Sequence, residues 1–117
     1  MIVWNIDKNT VYRATKKDLF EAIYMVTSII PIGRVTSYKE IAETLGIHPR
    51  IVGLALKNND KPLIIPCHRV VGVDGDLKNY SYGGRRVKKK LLEIEGIVFK
   101  DDRVPRKYFI KIDELFK

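Results

Sequence analysis

Two short helical segments separated by a few residues, one of them a glycine, constrain this chain more than anything else in it. Ser37 and Glu40 stand in the order of a capping box, and Ile41, Ala42 and Leu45 follow at helical spacing until Gly46 stops the helix. After Ile47-His48, Pro49 takes a first helical position, where its missing N–H costs nothing. Ile51, Val52, Leu54, Ala55 and Leu56 then carry a helix to the turn at Asn58-Asn59-Asp60. The pattern fits a helix-turn-helix whose second member spans roughly Pro49 to Asn58, or an ordinary antiparallel helix pair. Arg50 and Lys57 favour the first, since both project if Ile51, Leu54 and Ala55 bury the opposite side. Gly53 costs about 1 kcal/mol of helix propensity relative to alanine, so a backbone of DNA or of another helix is expected to approach it closely.

The flanking segments fill out a mainly α chain with short β elements. Thr15 and Asp18 form a variant capping box ahead of Leu19, Phe20, Ile23, Val26 and Ile30, which recur at helical spacing until Pro31-Ile-Gly33. Before them, the apolar pieces Ile2–Ile6 and Val11-Tyr12 around Asp7-Lys-Asn-Thr10 fit a hairpin or a simple lead-in. Downstream, Val70-Val71 reads as a strand entering the Gly72–Gly75 turn, and Asn79–Gly84 as a flexible loop bearing aromatic rings. A further helix carries the basic run Arg85–Lys90, read as a solvated face near which phosphates could lie, with Val87, Leu91 and Leu92 apolar and Gly96 as its stop. Ile97–Phe99 and Tyr108–Ile112 then flank Lys100-Asp-Asp-Arg103, as edge strands or as a clasp. A length of 117 residues suits one domain over 1–117, with a short lead-in at 1–14 and an unassigned tail at 97–117.

The net charge of +8 suits a polyanionic partner. A single cysteine forbids an internal disulfide, and a zinc site would need Cys67, two histidines and carboxylates scattered along the sequence, so neither metal nor cofactor is expected. The Met1–Asp7 stretch lacks a basic leader followed by a long apolar run, and no segment reaches the roughly 18 apolar residues of a membrane span. A monomer in the cytoplasm, or in the nucleus of a eukaryote, is expected, with no membrane partner.

The string Ile65-Pro66-Cys67-His68-Arg69-Val70-Val71 sets that cysteine beside a histidine in an otherwise apolar run. A lone cysteine is commonly a small buried hydrophobe, but an adjacent imidazole or cation favours the nucleophilic thiolate. Pro-Cys-His-Arg-Val closely resembles the active-site signature of the alkylguanine-DNA alkyltransferases, the methylated-DNA-protein-cysteine methyltransferases. The likeness runs from about Lys16 to Gly96, through Pro31–Tyr38, the Arg50 helix with Gly53, Asn59, Pro62, Tyr80-Ser81, and Leu91-Leu92 leading to Glu95-Gly96.

That resemblance implies a winged helix-turn-helix-like catalytic domain acting on double-stranded DNA that contains alkylated guanine. It implies that Cys67 accepts the alkyl group, that His68 reaches the thiol through a water while bonded to Glu95, and that Tyr38 acts on the base and the adjacent phosphate. It makes Arg50 the side chain that fills the gap left by a flipped nucleotide, places Ser37 and Gly53 at the DNA, and makes Asn59 a structural hinge. Pro62, the Val70 carbonyl and the Tyr80-Ser81 loop would surround the base. A thioether has no easy hydrolysis route, so the acceptor would react once and stay alkylated.

Three features depart from the family: the short stretch before Thr15, where a separate domain is common; a Tyr80–Gly84 loop one residue longer; and Lys78 where a small residue is frequent. Competing readings are an alkyltransferase-like protein that binds lesions without repairing them, a branch that lacks the acceptor cysteine, or a small helix-turn-helix regulator. A cysteine hydrolase would leave the Arg50 helix and the basic charge without a purpose.

Overall fold

The computed structural model describes residues 2–5, 10–13 and 15–116. Strands β1 (Ile2–Asn5) and β2 (Thr10–Arg13) pair antiparallel with Ile2 opposite Arg13, so the hairpin forms; residues 6–9 of its expected turn lie outside the described residues. Helix α1 spans Lys16–Ser28, and its capping box is reciprocal: Asp18 N–H donates to Thr15 Oγ1, and Thr15 N–H to the Asp18 carboxylate, both at 3.1 Å.

Helix α2 (Tyr38–Leu45) also starts as read, with Ser37 Oγ accepting from Glu40 N–H at 2.9 Å. Its box is only half made. The Glu40 carboxylate turns away to accept the backbone N–H of Ile112 at 2.8 Å, an interaction across 72 residues that no local pattern could announce. Gly46, at φ 68, closes the helix because the left-handed conformation lets its N–H and that of Ile47 return to the Ala42 and Glu43 carbonyls. Helix α3 (Pro49–Lys57) is capped by His48, whose Nδ1 accepts from Arg50 N–H at 3.0 Å. Its inward residues are Val52, Ala55 and Leu56; Leu54, read as buried, is 45% exposed.

Strand β3 (Thr36–Ser37) runs parallel to β4 (Val70–Val71), with the helix pair as the crossover that such a pairing requires. On the other side of β3, Val35 N–H donates to the Tyr108 carbonyl and Ile110 N–H to the Val35 carbonyl, both at 2.9 Å. The tail is therefore a clasp, with Ile112 fully buried against α1, α2 and α3. Helix α4 (Gly84–Ile94) closes a second cluster in which Val35, Val71, Leu77, Leu92, Ile97 and Val104 pack together. The architecture is mainly helical with short paired strands, as the sequence led us to expect. Among the described residues no helix is long and apolar enough to cross a membrane.

Candidate active site

Pro66 delivers Cys67 into a single 3-10 turn, Cys67–Arg69, packed against the core so that the cysteine is 5% exposed. Asn59, just past the end of α3, holds this turn from below. Its Nδ2 donates to the Ile65 carbonyl at 2.9 Å and lies 3.4 Å from Cys67 Sγ, while its Oδ1 accepts from Lys61 N–H at 2.9 Å. The Asn59 carbonyl accepts the Tyr82 hydroxyl, and Ser81 Oγ donates to the Lys57 carbonyl. One asparagine thus joins α3, the thiol and the aromatic loop. That loop, read as flexible, is anchored by the Ser81 and Tyr82 hydroxyls, with Tyr80 buried.

His68 is buried beside the thiol's turn, and its Nε2 lies 2.7 Å from Glu95 Oε2. Arg69 grips the same carboxylate in a fork, Nε and Nη2 each at 2.9 Å, and its Nη1 donates to the Ile30 carbonyl. Gly33 N–H completes the cage at 3.3 Å, across a turn where Gly33 adopts φ 81. Burial alone would raise the Glu95 pKa, but the bonds from Arg69, His68 and Gly33 outweigh it and hold the carboxyl below its usual range. Burial pushes the His68 pKa below its usual value against the pull of Glu95. The pair is therefore a neutral imidazole donating Nε2–H to a carboxylate, which leaves Nδ1 with its lone pair, the state a proton acceptor requires. His68 Nδ1 is buried and has no hydrogen-bond partner among the described residues.

Sequence reasoning assigned no role to Arg69 and placed Lys88 on a solvated basic face. Lys88 is instead fully buried; its Nζ donates to the Val70 carbonyl at 2.7 Å and sits 3.5 Å from the Tyr38 hydroxyl, 5.7 Å from that ring's centroid. A signal was present, because Lys88 stands four residues before the buried Leu92 on the inward stripe of α4. Burial brings the Lys88 pKa down to about 8. Burial, with Cys67 adding to it, pushes the Tyr38 hydroxyl up to about 12, so Tyr38 stays a hydrogen-bond donor at neutral pH. The outward residues of the basic run behave as read: Arg85 bonds Asp76 at 2.8 Å and Asp102 at 3.1 Å, and Lys89 bonds Asp102 at 2.7 Å.

Above the thiol opens a cleft of about 560 Å³. Tyr38, Arg50, Gly53, Cys67, Tyr80 and Ser81 line it, together with Lys57 and Lys78, and among the described residues no carboxylate belongs to the lining. A cleft walled by cations and aromatic rings favours an anionic, planar ligand. Three residues expected to touch the base or the DNA are not in the lining. Val70 is wholly buried, with its carbonyl taken by Lys88; Ser37 is 6% exposed, with its hydroxyl spent on the α2 cap; Pro62 lies in the loop beyond Asn59, beside the exposed Leu63 and Ile64. The approach to Gly53 is also decided on the protein side: among the described residues a β-carbon there would meet nothing within 4 Å, so no other described helix explains the glycine. Among the described residues no group of three or more His, Cys, Asp or Glu is placed to hold a metal ion.

Residues 18–97, more than half of the chain, match the family described as 6-O-methylguanine DNA methyltransferase, DNA binding domain. The chain belongs to that methyltransferase family. A methylated-DNA–protein-cysteine methyltransferase of Pyrobaculum aerophilum is 53% identical over 72 residues, 62% of this chain and 48% of that protein. The chain spans about half the length of the curated methyltransferase relatives it matches. Its fold is similar to that of S. pombe Atl1, solved in complex with damaged DNA containing O6-carboxymethylguanine, with a TM-score of 0.73 and 26% identity over 86% of this chain and 99% of that one. It is also similar to the Mycobacterium tuberculosis methyltransferase solved in complex with DNA, with a TM-score of 0.63 and 41% identity over 71% of this chain and 50% of that one.

Proposed function

We propose that this chain is the catalytic domain of a DNA alkyltransferase that moves the alkyl group of O6-alkylguanine in duplex DNA onto Cys67, once and irreversibly. The observation that carries the reading is the placement of the buried thiol on the floor of a cationic cleft, beside a neutral histidine whose other nitrogen is held by a carboxylate. In the proposed step His68 Nδ1 takes the thiol proton through a water, and the thiolate attacks the alkyl carbon. The S–C bond forms as the C–O6 bond breaks, and the bonding pair passes to the guanine. Tyr38, kept protonated, and the Tyr80-Ser81 loop donate hydrogen bonds to the base as that charge develops, while Glu95 stabilises the imidazolium. The atoms balance with no cofactor.

Duplex DNA hides O6 in the stack, so the nucleotide must swing out into the cleft. Arg50, at the first turn of α3 on the rim, is placed to fill the vacated space, and Gly53 lets a DNA backbone lie against the helix. The family resemblance puts α3 in the minor groove, where base pairs are poorly distinguished, so little sequence preference follows. Asn59 is the link through which a changed sulfur would be felt by α3.

The likeness to Atl1 supports a second reading, lesion binding without transfer. Cys67 separates the two. Incubation with a duplex containing O6-methylguanine should raise the intact mass by one methyl group, with Cys67→Ala blocking the gain and sparing DNA binding. Transfer by that variant would remove Cys67 from the chemistry, and binding without any mass gain in the unmodified chain would favour the lesion binder.

A further inference from the structure

Lys78 lines the cleft but has no part in the chemistry above. Its backbone adopts φ 61, a conformation that L side chains disfavour, and its N–H donates to Asp76 Oδ2 at 3.2 Å in a turn that holds it there. Its aliphatic stem lies across Gly72, where a β-carbon would meet Lys78 Cε at 2.8 Å. The ammonium stops 3.9 Å from Asp76, whereas Arg85 holds that carboxylate at 2.8 Å and Asp102 at 3.1 Å. Asp76 is bonded more closely by Arg85, so the ammonium of Lys78, on a side chain 54% exposed, keeps only one long ion pair.

Two kinds of anion can meet it there: a backbone phosphate of DNA, or an acid group carried by the lesion itself. Arg50 and Lys57 sit on α3, the wall that the proposed reaction sets against the DNA backbone. Lys78 lines the cleft from the segment between β4 and α4, two residues before the buried Tyr80. Building on the transfer reading, we infer that Lys78 makes this site prefer guanines whose O6 substituent ends in a carboxylate, such as carboxymethyl, over neutral alkyl groups of similar size. A neutral methyl gains nothing from the ammonium, and a carboxylate gains one charge-assisted hydrogen bond.

Single-turnover transfer rates from O6-carboxymethylguanine and O6-methylguanine in one duplex sequence test this, together with dissociation constants of the Cys67→Ala protein for the same two duplexes. Lys78→Gln should lower the carboxymethyl-to-methyl ratio about tenfold in both measures, the size of one such bond at a half-exposed site, and Lys78→Arg should recover it. A ratio unmoved by Lys78→Gln overturns the inference, whether both substrates weaken together, as for a phosphate contact, or neither does. Absence of methyl transfer by the unmodified chain would instead defeat the proposed reaction, and the binding ratio of the Cys67→Ala protein would still decide the role of Lys78.

Discussion

An ammonium buried as Lys88 is costs free energy even when it is bonded, and the sign of that cost sets a measurable pH dependence. With its pKa lowered from 10.5 to about 8, the folded chain binds fewer protons than the unfolded chain between those values. Stability therefore rises as pH climbs through that window, and at neutral pH the cost stands at about 3 kcal/mol. Lys88→Met removes the charge and keeps the stem, but strips the Val70 carbonyl of its partner, a loss of about 1–3 kcal/mol. The relief equals or exceeds the loss, so urea melts at pH 7 should place the variant from level with the parent to about 2 kcal/mol more stable, and the parent should gain on it between pH 8 and 10. Transfer should nonetheless slow at least about tenfold, the worth of about 1.4 kcal/mol, because Tyr38 loses the cation beside it. Equal transfer rates would make Lys88 a packing residue. At the acid end, His68 and Glu95 both titrate below their usual values in the folded chain. The stability they contribute is present above the ordinary histidine range and is lost as pH falls, first through His68 and then through Glu95. Glu95→Gln should cost about 3 kcal/mol in a melt at pH 7, because Arg69 and His68 lose the carboxylate they share, and should slow alkylation as well. Transfer at the parental rate would mean that the carboxylate serves the fold alone.

Helix α3 sets local stability against a use outside the chain. Gly53 has ordinary helical neighbours and open space beyond its α-carbon, so Gly53→Ala should stabilise the protein by about 0.5–1 kcal/mol in thermal melts. The same methyl should weaken duplex binding if a DNA backbone lies there; a stabilised variant with undiminished affinity would place the DNA elsewhere. Arg50 tests the same surface from the rim. Arg50→Ala should slow repair in a duplex by about tenfold or more, since unstacking costs a few kcal/mol, yet react nearly normally with free alkylated guanine. Equal losses on both substrates would put Arg50 in the pocket chemistry. Leu54, expected inward, is half-exposed because helical spacing cannot tell a core stripe from one aliphatic residue turned outward.

The molecule is closed by its tail, which returns from α4 past β3 to seat Ile112 beneath the helix pair. Ile112→Ala should cost about 2–5 kcal/mol, a large share of the stability of a domain this size, and should loosen α2 and α3 together. A loss under 1 kcal/mol, measured by urea unfolding, would show the tail to be ornamental. Much of the framework was legible in the chain: the Thr15 and Ser37 caps, the Gly46 stop, Pro49 at a first position and the Pro-Cys-His string each act through neighbours within four residues, so local chemistry is enough to read them. What the sequence left open was decided by partners far apart along the chain. Lys88 meets Val70 across 18 residues, Arg69 meets Glu95 across 26, and Glu40 meets Ile112 across 72. A lysine in a basic run and a glutamate in a capping box look like surface groups until packing removes water from around them. Only the path of the backbone determines where that happens, which is why the helices and the His68–Glu95 pair could be named from the sequence while the places of Arg69, Lys88 and the Glu40 carboxylate could not.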